Sequence, residues 1–320
     1  MTIRSVCLCV VVALALLAPD LGAFAADSDS MNSLPAPIFT DPEPDPEHPA
    51  SGLPVQFRSH GALLNGMVYR PPGAQANPTA IFFHGLPGNE ENLDLAQVMR
   101  RAGWTVVTFH YTGAWGSGGR FTLRNGVDDA AALFAHLREP AIAQAWGVDP
   151  TRILVVGHSY GGYVAARAAG AQRGVIGAVL LAPWDISVDQ RQWSRLPRAE
   201  RRRVVAASFD DVDGRLAGAD QNSLAAEILQ YGAGMDLPSL VPALLQMPVL
   251  LITATIDDED DKATDFLARM QQLNPPRFTS ELMDTDHSFN GRRIELEAAV
   301  LRWTAAAGLA PASVGPPAAN

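Results

Sequence analysis

Cysteine and lysine are almost absent from this chain of 320 residues. The two cysteines are Cys7 and Cys9, and the one lysine is Lys262. If export removes the N-terminus, no cysteine remains, which excludes disulfides, thiol catalysis and cysteine-ligated metals. The net charge of −10 argues against non-specific binding to nucleic acid. The sequence implies no metal and no organic cofactor.

Residues 1–25 follow the order of an export signal. Arg4 precedes the apolar residues 6–18, and the small residues 23–25 follow them. We predict cleavage after Ala25, a periplasmic or secreted mature protein, and no stable membrane insertion after cleavage. The alternative is an uncleaved anchor helix, for which the apolar run is short.

Two segments rich in proline or small residues flank the predicted domain. Residues 26–54 are rich in proline and acidic residues, which favours an extended arm without a core of its own. Residues 308–320 are predicted to be a disordered tail. The domain itself is expected over residues 55–307, and it begins with an antiparallel hairpin that has Gly61 in its turn.

Short apolar runs then alternate with amphipathic helical stretches. Runs without a polar face are typical of parallel strands covered by helices on both sides. They are AIFF (80–83), TVVTF (105–109), ILVV (153–156), VIGAVLL (175–181) and VLLIT (249–253), with a last strand at 278–283. Helices are predicted at 92–102, at 127–137, after Ser159, at 261–273 and at 292–307. This order predicts an α/β fold with a mostly parallel, doubly wound sheet.

Residues 184–246 break that alternation. They contain helical pieces but no strand run, and about sixty residues are too many for a plain loop in such a fold. We predict that they form a helical cap over the strand ends.

One serine lies between glycines where a strand is expected to become a helix. In ILVVGHSYGG, Ser159 follows Gly157 and precedes Gly161. A tight strand-to-helix turn lifts a serine hydroxyl clear of the backbone, and neighbours with side chains would clash there. The following helix points its N-terminus at the site and favours negative charge there. The pattern predicts a nucleophilic serine.

Over about residues 55–307 the sequence resembles the α/β-hydrolase superfamily. The GHSYGG form is similar to that of dienelactone-hydrolase-like esterases and prolyl-oligopeptidase-like serine peptidases. The resemblance implies about eight strands and a catalytic serine, acid and histidine in that chain order. It assigns the base to His287 in DTDHSF and the acid to Asp257 in ATIDDEDD. Asp258 is the near alternative for the acid, and Asp185 is a more distant one.

The resemblance also implies an oxyanion hole. The turn HGLPG, residues 84–88, is similar to the family's loop after the first parallel strand, which assigns one backbone N–H to Leu86. The other is the N–H of Tyr160, directly after the serine. A Tyr111 hydroxyl is a candidate to supplement them. Trp184 and Tyr231 are candidates for substrate contacts from the cap.

These expectations describe an exported serine hydrolase that cleaves a carboxylic ester through an acyl-enzyme on Ser159. Its substrate would be a small-molecule ester or a short peptide. One alternative is a serine peptidase or amidase of the prolyl-oligopeptidase-like type. The other is a non-catalytic binding protein that keeps the fold.

Overall fold

Eight strands form one sheet in the computed structural model, which describes residues 34–212, 214–256 and 260–311. The predicted export signal, Asp257, Asp258 and most of the predicted tail lie outside the described residues. The described residues from Pro35 onward cluster into one compact unit. The strands are β1 (Ser51–Ser59), β2 (Ala62–Arg70), β3 (Asn77–Phe83), β4 (Thr105–Phe109), β5 (Val148–His158), β6 (Val175–Leu181), β7 (Val249–Ile256) and β8 (Phe278–Asp286).

The strand order across the sheet is β1-β2-β4-β3-β5-β6-β7-β8. Strand β2 runs antiparallel to both β1 and β4, and every other neighbouring pair is parallel. The prediction of a mostly parallel sheet of about eight strands is therefore confirmed. Because β3 to β8 all point the same way, their carboxyl ends meet at one edge of the sheet, where ligands of such folds bind.

The hairpin of β1 and β2 turns at His60 and Gly61. Both residues have positive φ, 48° and 84°. Two-residue hairpin turns of this kind match the twist of the flanking strands and favour glycine.

Ten α-helices are described. Helices α1 to α4 are Leu93–Arg101, Leu123–Leu137, Pro140–Trp146 and Tyr160–Ala171, α5 to α8 are Ile186–Arg195, Arg198–Ser208, Gln221–Tyr231 and Val241–Leu244, and α9 and α10 are Thr264–Leu273 and Arg293–Ala306. None of these described helices is both long and apolar enough to span a membrane.

The central strands are buried on both faces. In β3, Ile81 and Phe83 join a core that contains α2, α4 and the cap, whereas Ala80 and Phe82 join a second core with α1 and α10. Successive side chains of a strand point to opposite faces. A strand between two cores must therefore be apolar at every position, which explains the continuous apolar runs in the sequence.

Helices α5 to α8 lie between β6 and β7 and form the predicted cap. Two backbone hydrogen bonds join the cap to the glycine-rich loop after β4: Ala217 N–H donates to the Gly113 carbonyl at 2.7 Å, and Phe121 N–H donates to the Ala217 carbonyl at 3.0 Å. The Glu227 carboxylate on α7 accepts from the backbone N–H groups of Leu123 (2.9 Å) and Arg124 (3.1 Å). The cap is thus fastened to the N-terminus of α2.

Two helices differ from the sequence prediction. Helix α2 begins at Leu123 rather than at Val127, because the Thr122 hydroxyl accepts from Asn125 N–H at 3.1 Å and caps an earlier turn. The short helix α3, which has Pro140 at its start, was not predicted. Proline is favoured in the first turn of a helix, where its missing N–H costs nothing.

Candidate active site

Ser159 stands at the sharp turn between β5 and α4. Its φ of 54° and ψ of −120° lie in a sparsely populated region that costs about 1–3 kcal/mol. The turn is held on both sides: Ser159 N–H donates to the Leu181 carbonyl at 2.9 Å, and the Ser159 carbonyl accepts from the N–H of Gly162 and of Trp184, each at 2.9 Å. Hydrogen bonds to the neighbouring strand β6 and to the first residues of the cap therefore hold Ser159 in this strained conformation.

The glycines around the serine have no room for a side chain. A Cβ on Gly161 would lie 1.9 Å from the Phe83 carbonyl oxygen, and a Cβ on Gly157 would lie 2.1 Å from the Gly161 oxygen. Both obstacles are backbone atoms in the core of the fold, so they cannot rotate away. The helix after the serine consequently packs directly against the end of β3.

The loop after β3 lies beside the serine. A Cβ on Gly85 would be 3.2 Å from the Ser159 Cβ, so this loop also approaches closely. Tyr160 is the first residue of α4, and the N–H groups in a first helical turn have no acceptor within the helix. Leu86, one residue after Gly85, borders the same space as Ser159.

The buried ring of His84 supports that loop. Its Nδ1 lies 2.7 Å from the Gly85 carbonyl oxygen, and because a carbonyl only accepts, Nδ1 carries the hydrogen. Burial lowers the pKa of His84 to about 4. The imidazole is therefore neutral at pH 7 and acts as a hydrogen-bonded part of the core.

His287 follows β8 directly and is joined to the residue before the serine. The His158 and His287 rings are 4.7 Å apart between centroids, and His158 Nε2 donates to the His287 carbonyl at 2.9 Å. The sequence analysis assigned no role to His158. The structure gives it one, because its side chain positions the His287 loop beside Ser159.

Two cavities meet at Ser159. The first, of about 200 Å³, contains His287 and Ser288 together with the loop after β3 and His158. The second, of about 40 Å³, is lined mainly by the cap and contains Trp184, Trp193 and Phe209. Leu86 and Asp211 border both. A molecule bound at Ser159 can therefore extend one group into each cavity.

Comparison with known proteins decides the family. A family model described as the alpha/beta hydrolase family matches residues 80–299. The chain belongs to this family. Among curated proteins, no sequence matches it significantly.

Solved structures of hydrolases share the fold of this alpha/beta hydrolase at low sequence identity. An esterase from Pyrococcus furiosus superposes with a TM-score of 0.56 at 15% identity, covering 81% of this chain and 91% of that one. An acylaminoacyl peptidase from Pyrococcus horikoshii has a TM-score of 0.56 at 16% identity, covering 80% of this chain but 41% of its own. The 2,6-dihydroxy-pseudo-oxynicotine hydrolase has a TM-score of 0.58 at 17% identity, covering 83% and 71%.

Of the three candidate acids, the structure describes only Asp185. Asp257 and Asp258 lie outside the described residues. Asp185 caps α5, where its Oδ1 accepts from the N–H and the hydroxyl of Ser187 at 3.0 and 2.6 Å. Burial raises the pKa of Asp185. It borders neither of the two cavities at Ser159, so its described role is to begin a cap helix.

Of Trp184, Tyr231 and Tyr111, the three further residues predicted to act at the site, one lines a cavity. Trp184 borders the smaller cavity. Tyr111 is fully buried and its hydroxyl donates to the His84 carbonyl at 3.1 Å, so it supports the loop instead of the oxyanion hole. Tyr231 is 38% exposed and packs under the Arg124 guanidinium, 4.2 Å from its ring centroid. Neither tyrosine lines either cavity at Ser159.

Sequence reasoning missed two charged residues in the smaller cavity. Lys262 Nζ and Asp189 Oδ2 are 3.2 Å apart, and their side chains are only 11% and 4% exposed. Asp189 Oδ2 also accepts from the Trp184 indole N–H at 2.6 Å. The single lysine of the chain was a signal available in the sequence, but nothing there connects it with an aspartate in the cap.

A buried carboxylate shapes the glycine-rich loop near the site. Asp129 on α2 accepts from the Thr112 N–H at 2.7 Å and from the Thr112 hydroxyl at 2.8 Å. Burial raises the pKa of Asp129, while these hydrogen bonds oppose the rise.

Within the described part of the chain, no group of three or more His, Cys, Asp or Glu side chains is arranged to hold a metal ion.

Proposed function

We propose that this alpha/beta hydrolase is an exported serine hydrolase that cleaves carboxylic esters through an acyl-enzyme on Ser159. The observation that carries the proposal is the serine itself. It stands on a strained turn, at the N-terminus of a helix, and borders one cavity together with His287. The export part rests on the signal-like order of residues 1–25.

In this mechanism His287 takes the proton of the Ser159 hydroxyl as the oxygen attacks the ester carbonyl. The carbonyl oxygen gains negative charge, which the N–H groups of Leu86 and Tyr160 stabilise. The protonated imidazole then gives its proton to the leaving alcohol oxygen, and the C–O bond breaks. A water molecule, deprotonated by His287, releases the acid and restores the serine hydroxyl.

An acid beside His287 would orient the imidazole and stabilise its protonated form. Strands β7 and β8 are parallel neighbours, and their register pairs Ile256 with Asp286. These are the residues immediately before Asp257 and His287, which supports Asp257 as the acid.

We prefer an ester over a peptide because this chain matches an esterase along most of the length of both chains. This chain aligns with 91% of the Pyrococcus furiosus esterase but with only 41% of the acylaminoacyl peptidase. More than half of that peptidase has no counterpart in the alignment.

The direct test is labelling of the purified chain by a fluorophosphonate probe, together with turnover of p-nitrophenyl esters of several chain lengths. Ser159→Ala should abolish the label and lower kcat/KM at least about 10,000-fold. The matched control is Ser239→Ala, an exposed serine whose hydroxyl donates to the Asp236 carbonyl. Labelling that persists in Ser159→Ala, or a wild-type chain that takes no label, would contradict the proposal. Faster turnover of aminoacyl-nitroanilides than of esters would favour the peptidase.

The acid is tested by a pair of adjacent substitutions. Asp257→Asn should lower kcat about 1,000-fold or more, because the imidazolium loses its counter-charge. Asp258→Asn serves as the matched control and should retain most of the activity. The reverse result would assign the acid to Asp258.

A further inference from the structure

The loop after β3 is held by side chains rather than by backbone pairing. Strand β3 last pairs with β5 at Phe83, opposite Gly157. Among the described residues, none of the backbone-to-backbone hydrogen bonds outside helices and strands involves residues 85–91. The conformation of this loop therefore depends on side chains that bind its polar groups.

Two side-chain donors hold carbonyl groups of the loop. One is His84, whose Nδ1 donates to the Gly85 carbonyl at 2.7 Å. The other is Trp115 from the glycine-rich loop after β4, whose indole N–H donates to the Pro87 carbonyl at 2.7 Å. A Cβ on Gly88 would lie 2.6 Å from Trp115 Nε1 and 2.7 Å from His84 Nδ1, so both rings pack directly against this residue.

The backbone of Trp115 is strained. Its φ is 45°, in the left-handed region that bulky residues rarely adopt. Burial of the ring does not offset this strain in full, because 42% of the residue is exposed. Strained residues persist where the surrounding structure holds them, and they are common at functional sites. An exposed, strained tryptophan that binds a loop beside the nucleophile points to a role in function.

The glycine-rich loop gives Trp115 a supported position. Before it in the chain, the Gly113 carbonyl accepts from the Ala217 N–H of the cap at 2.7 Å. After it, the Gly118 N–H donates to the Leu63 carbonyl of β2 at 2.8 Å. The backbone is thus tied to the cap on one side of Trp115 and to the sheet on the other, so the indole extends from a fixed base.

The carbonyl that Trp115 holds is close in the chain to the proposed oxyanion donor. The Leu86 N–H has no hydrogen-bond acceptor within the described part of the chain, so it is available to a ligand. The ring of Pro87 fixes its φ, and the peptide units are planar. Few backbone rotations are therefore free between the Leu86 N–H and the Pro87 carbonyl. Holding the carbonyl limits the directions in which the N–H can point.

We infer that Trp115 is a positioning residue for the oxyanion hole, because its indole N–H holds the Pro87 carbonyl and thereby keeps the Leu86 N–H directed at the substrate. This inference rests on the proposed function, in which the substrate carbonyl oxygen gains negative charge. Trp115 borders neither cavity at Ser159, so it acts through the loop. Its loss should weaken stabilisation of the transition state more than binding of the substrate.

The test replaces the substrate carbonyl oxygen by sulfur. p-Nitrophenyl acetate is compared with its thiono counterpart, in which C=S takes the place of C=O. Sulfur is larger than oxygen and a weaker hydrogen-bond acceptor, so well-directed N–H groups favour the oxygen ester. The measured quantity is the ratio of kcat/KM for the oxygen ester to that for the thiono ester, corrected for spontaneous hydrolysis. Intrinsic reactivity cancels when this ratio is compared between variants.

Trp115→Phe keeps an aromatic ring and removes the N–H donor. It should lower the ratio about 10-fold, which is less than the roughly 100-fold or more expected when an oxyanion donor is removed outright. The kcat for the oxygen ester should fall by a similar factor, with KM within about threefold of the wild type. Trp115→Tyr, which also lacks the indole N–H, should show the same pattern. Trp303→Phe on α10, in the second core and at neither cavity, is the matched control and should keep the wild-type ratio.

The outcomes separate this inference from the proposed function. A wild-type chain that takes the fluorophosphonate label, but whose ratio is unchanged in Trp115→Phe and Trp115→Tyr, contradicts the inference alone. An equal fall in Trp303→Phe contradicts it too, since the effect then does not depend on the bond to Pro87. A raised KM with an unchanged kcat would make Trp115 a binding residue instead. A wild-type chain that takes no label and turns over neither ester contradicts both.

Discussion

The turn at Ser159 and the cap above it are held in different ways. Around the serine, backbone packs on backbone, and Gly157 and Gly161 have no space for even one added carbon. In the cap, Gly234 has nothing within 4 Å of the position that a Cβ would take. The cap is instead fastened by side chains such as Glu227 and by a few backbone hydrogen bonds to the glycine-rich loop.

This difference separates the chemistry from the choice of substrate. The serine turn is determined by backbone atoms that cannot move independently, so Ser159 keeps one geometry. The cap contributes the walls of the smaller cavity through side chains that can be exchanged one at a time. If the proposed function holds, substitutions in the cap should therefore change which ester is accepted, whereas substitutions at the turn should abolish activity.

The largest effect is expected from an added methyl group at the turn. Gly161→Ala should lower the free energy of unfolding by more than about 3 kcal/mol, because its Cβ would overlap the Phe83 carbonyl. Gly234→Ala in the cap, measured by the same urea titration, should change it by less than about 0.5 kcal/mol. Equal losses in the two variants would show that the turn is no more constrained than the cap.

Acidic pH should lower the free energy of unfolding of the chain through protonation of His84 in the unfolded state. Its pKa is about 4 in the folded chain against 6.5 for an ordinary histidine, because burial disfavours the charged ring. Below pH 6.5 the unfolded chain binds a proton that the folded chain does not. Stability is therefore complete above that pH and falls by about 3 kcal/mol as the pH approaches 4.

The His84 contribution is measured as a difference in pH dependence. The free energy of unfolding of His84→Asn should fall less steeply between pH 6.5 and 4 than that of the wild type, whatever its value at pH 7. If the free energies of unfolding of the two proteins fall equally steeply with pH, His84 is not the cause of the loss of stability in acid.

A smaller effect is expected where the cap is fastened to α2. Glu227→Ala removes the acceptor for the N–H groups of Leu123 and Arg124 and should cost about 2 kcal/mol. Hydrogen exchange of those two amides should accelerate. Glu227→Gln keeps one acceptor oxygen and should lose less. If these two amides exchange at the wild-type rate in Glu227→Ala, contacts other than Glu227 hold the cap on α2.

The smallest effect distinguishes two aromatic residues of the cap region. Tyr231→Ala should leave kcat/KM for short esters within about twofold, since its ring packs against Arg124 and lines neither cavity. Trp184→Ala should lower it about 10-fold or more, because this ring forms a cavity wall and donates to Asp189. Similar losses in both variants would place Tyr231 in the binding site.

Local patterns predicted much of this arrangement. The apolar runs gave the buried strands, because a strand between two helical layers has no polar face. The glycines around Ser159 gave the sharp turn, because the lack of a side chain is itself the structural requirement. His287 follows the last strand as expected, although its link to His158 was not anticipated.

The sequence did not predict the directions in which side chains point. Tyr111 follows a strand end as expected, but its ring points into the core and its hydroxyl meets the His84 carbonyl. Tyr231 is on a cap helix as expected, but it faces Arg124. Position along the chain places a residue near an edge or on a helix, and packing then decides which way its side chain points.

By itself the sequence determined the layered fold and the strained serine turn, since each of these depends on patterns of residues close together in the chain. Only the tertiary structure decided which residues share a cavity. Asp189 in the cap and Lys262 after β7 form one buried pair, and Leu86 and Asp211 border both cavities. Such contacts join distant parts of the chain, and they arise from the packing of the cap on the sheet rather than from any local pattern.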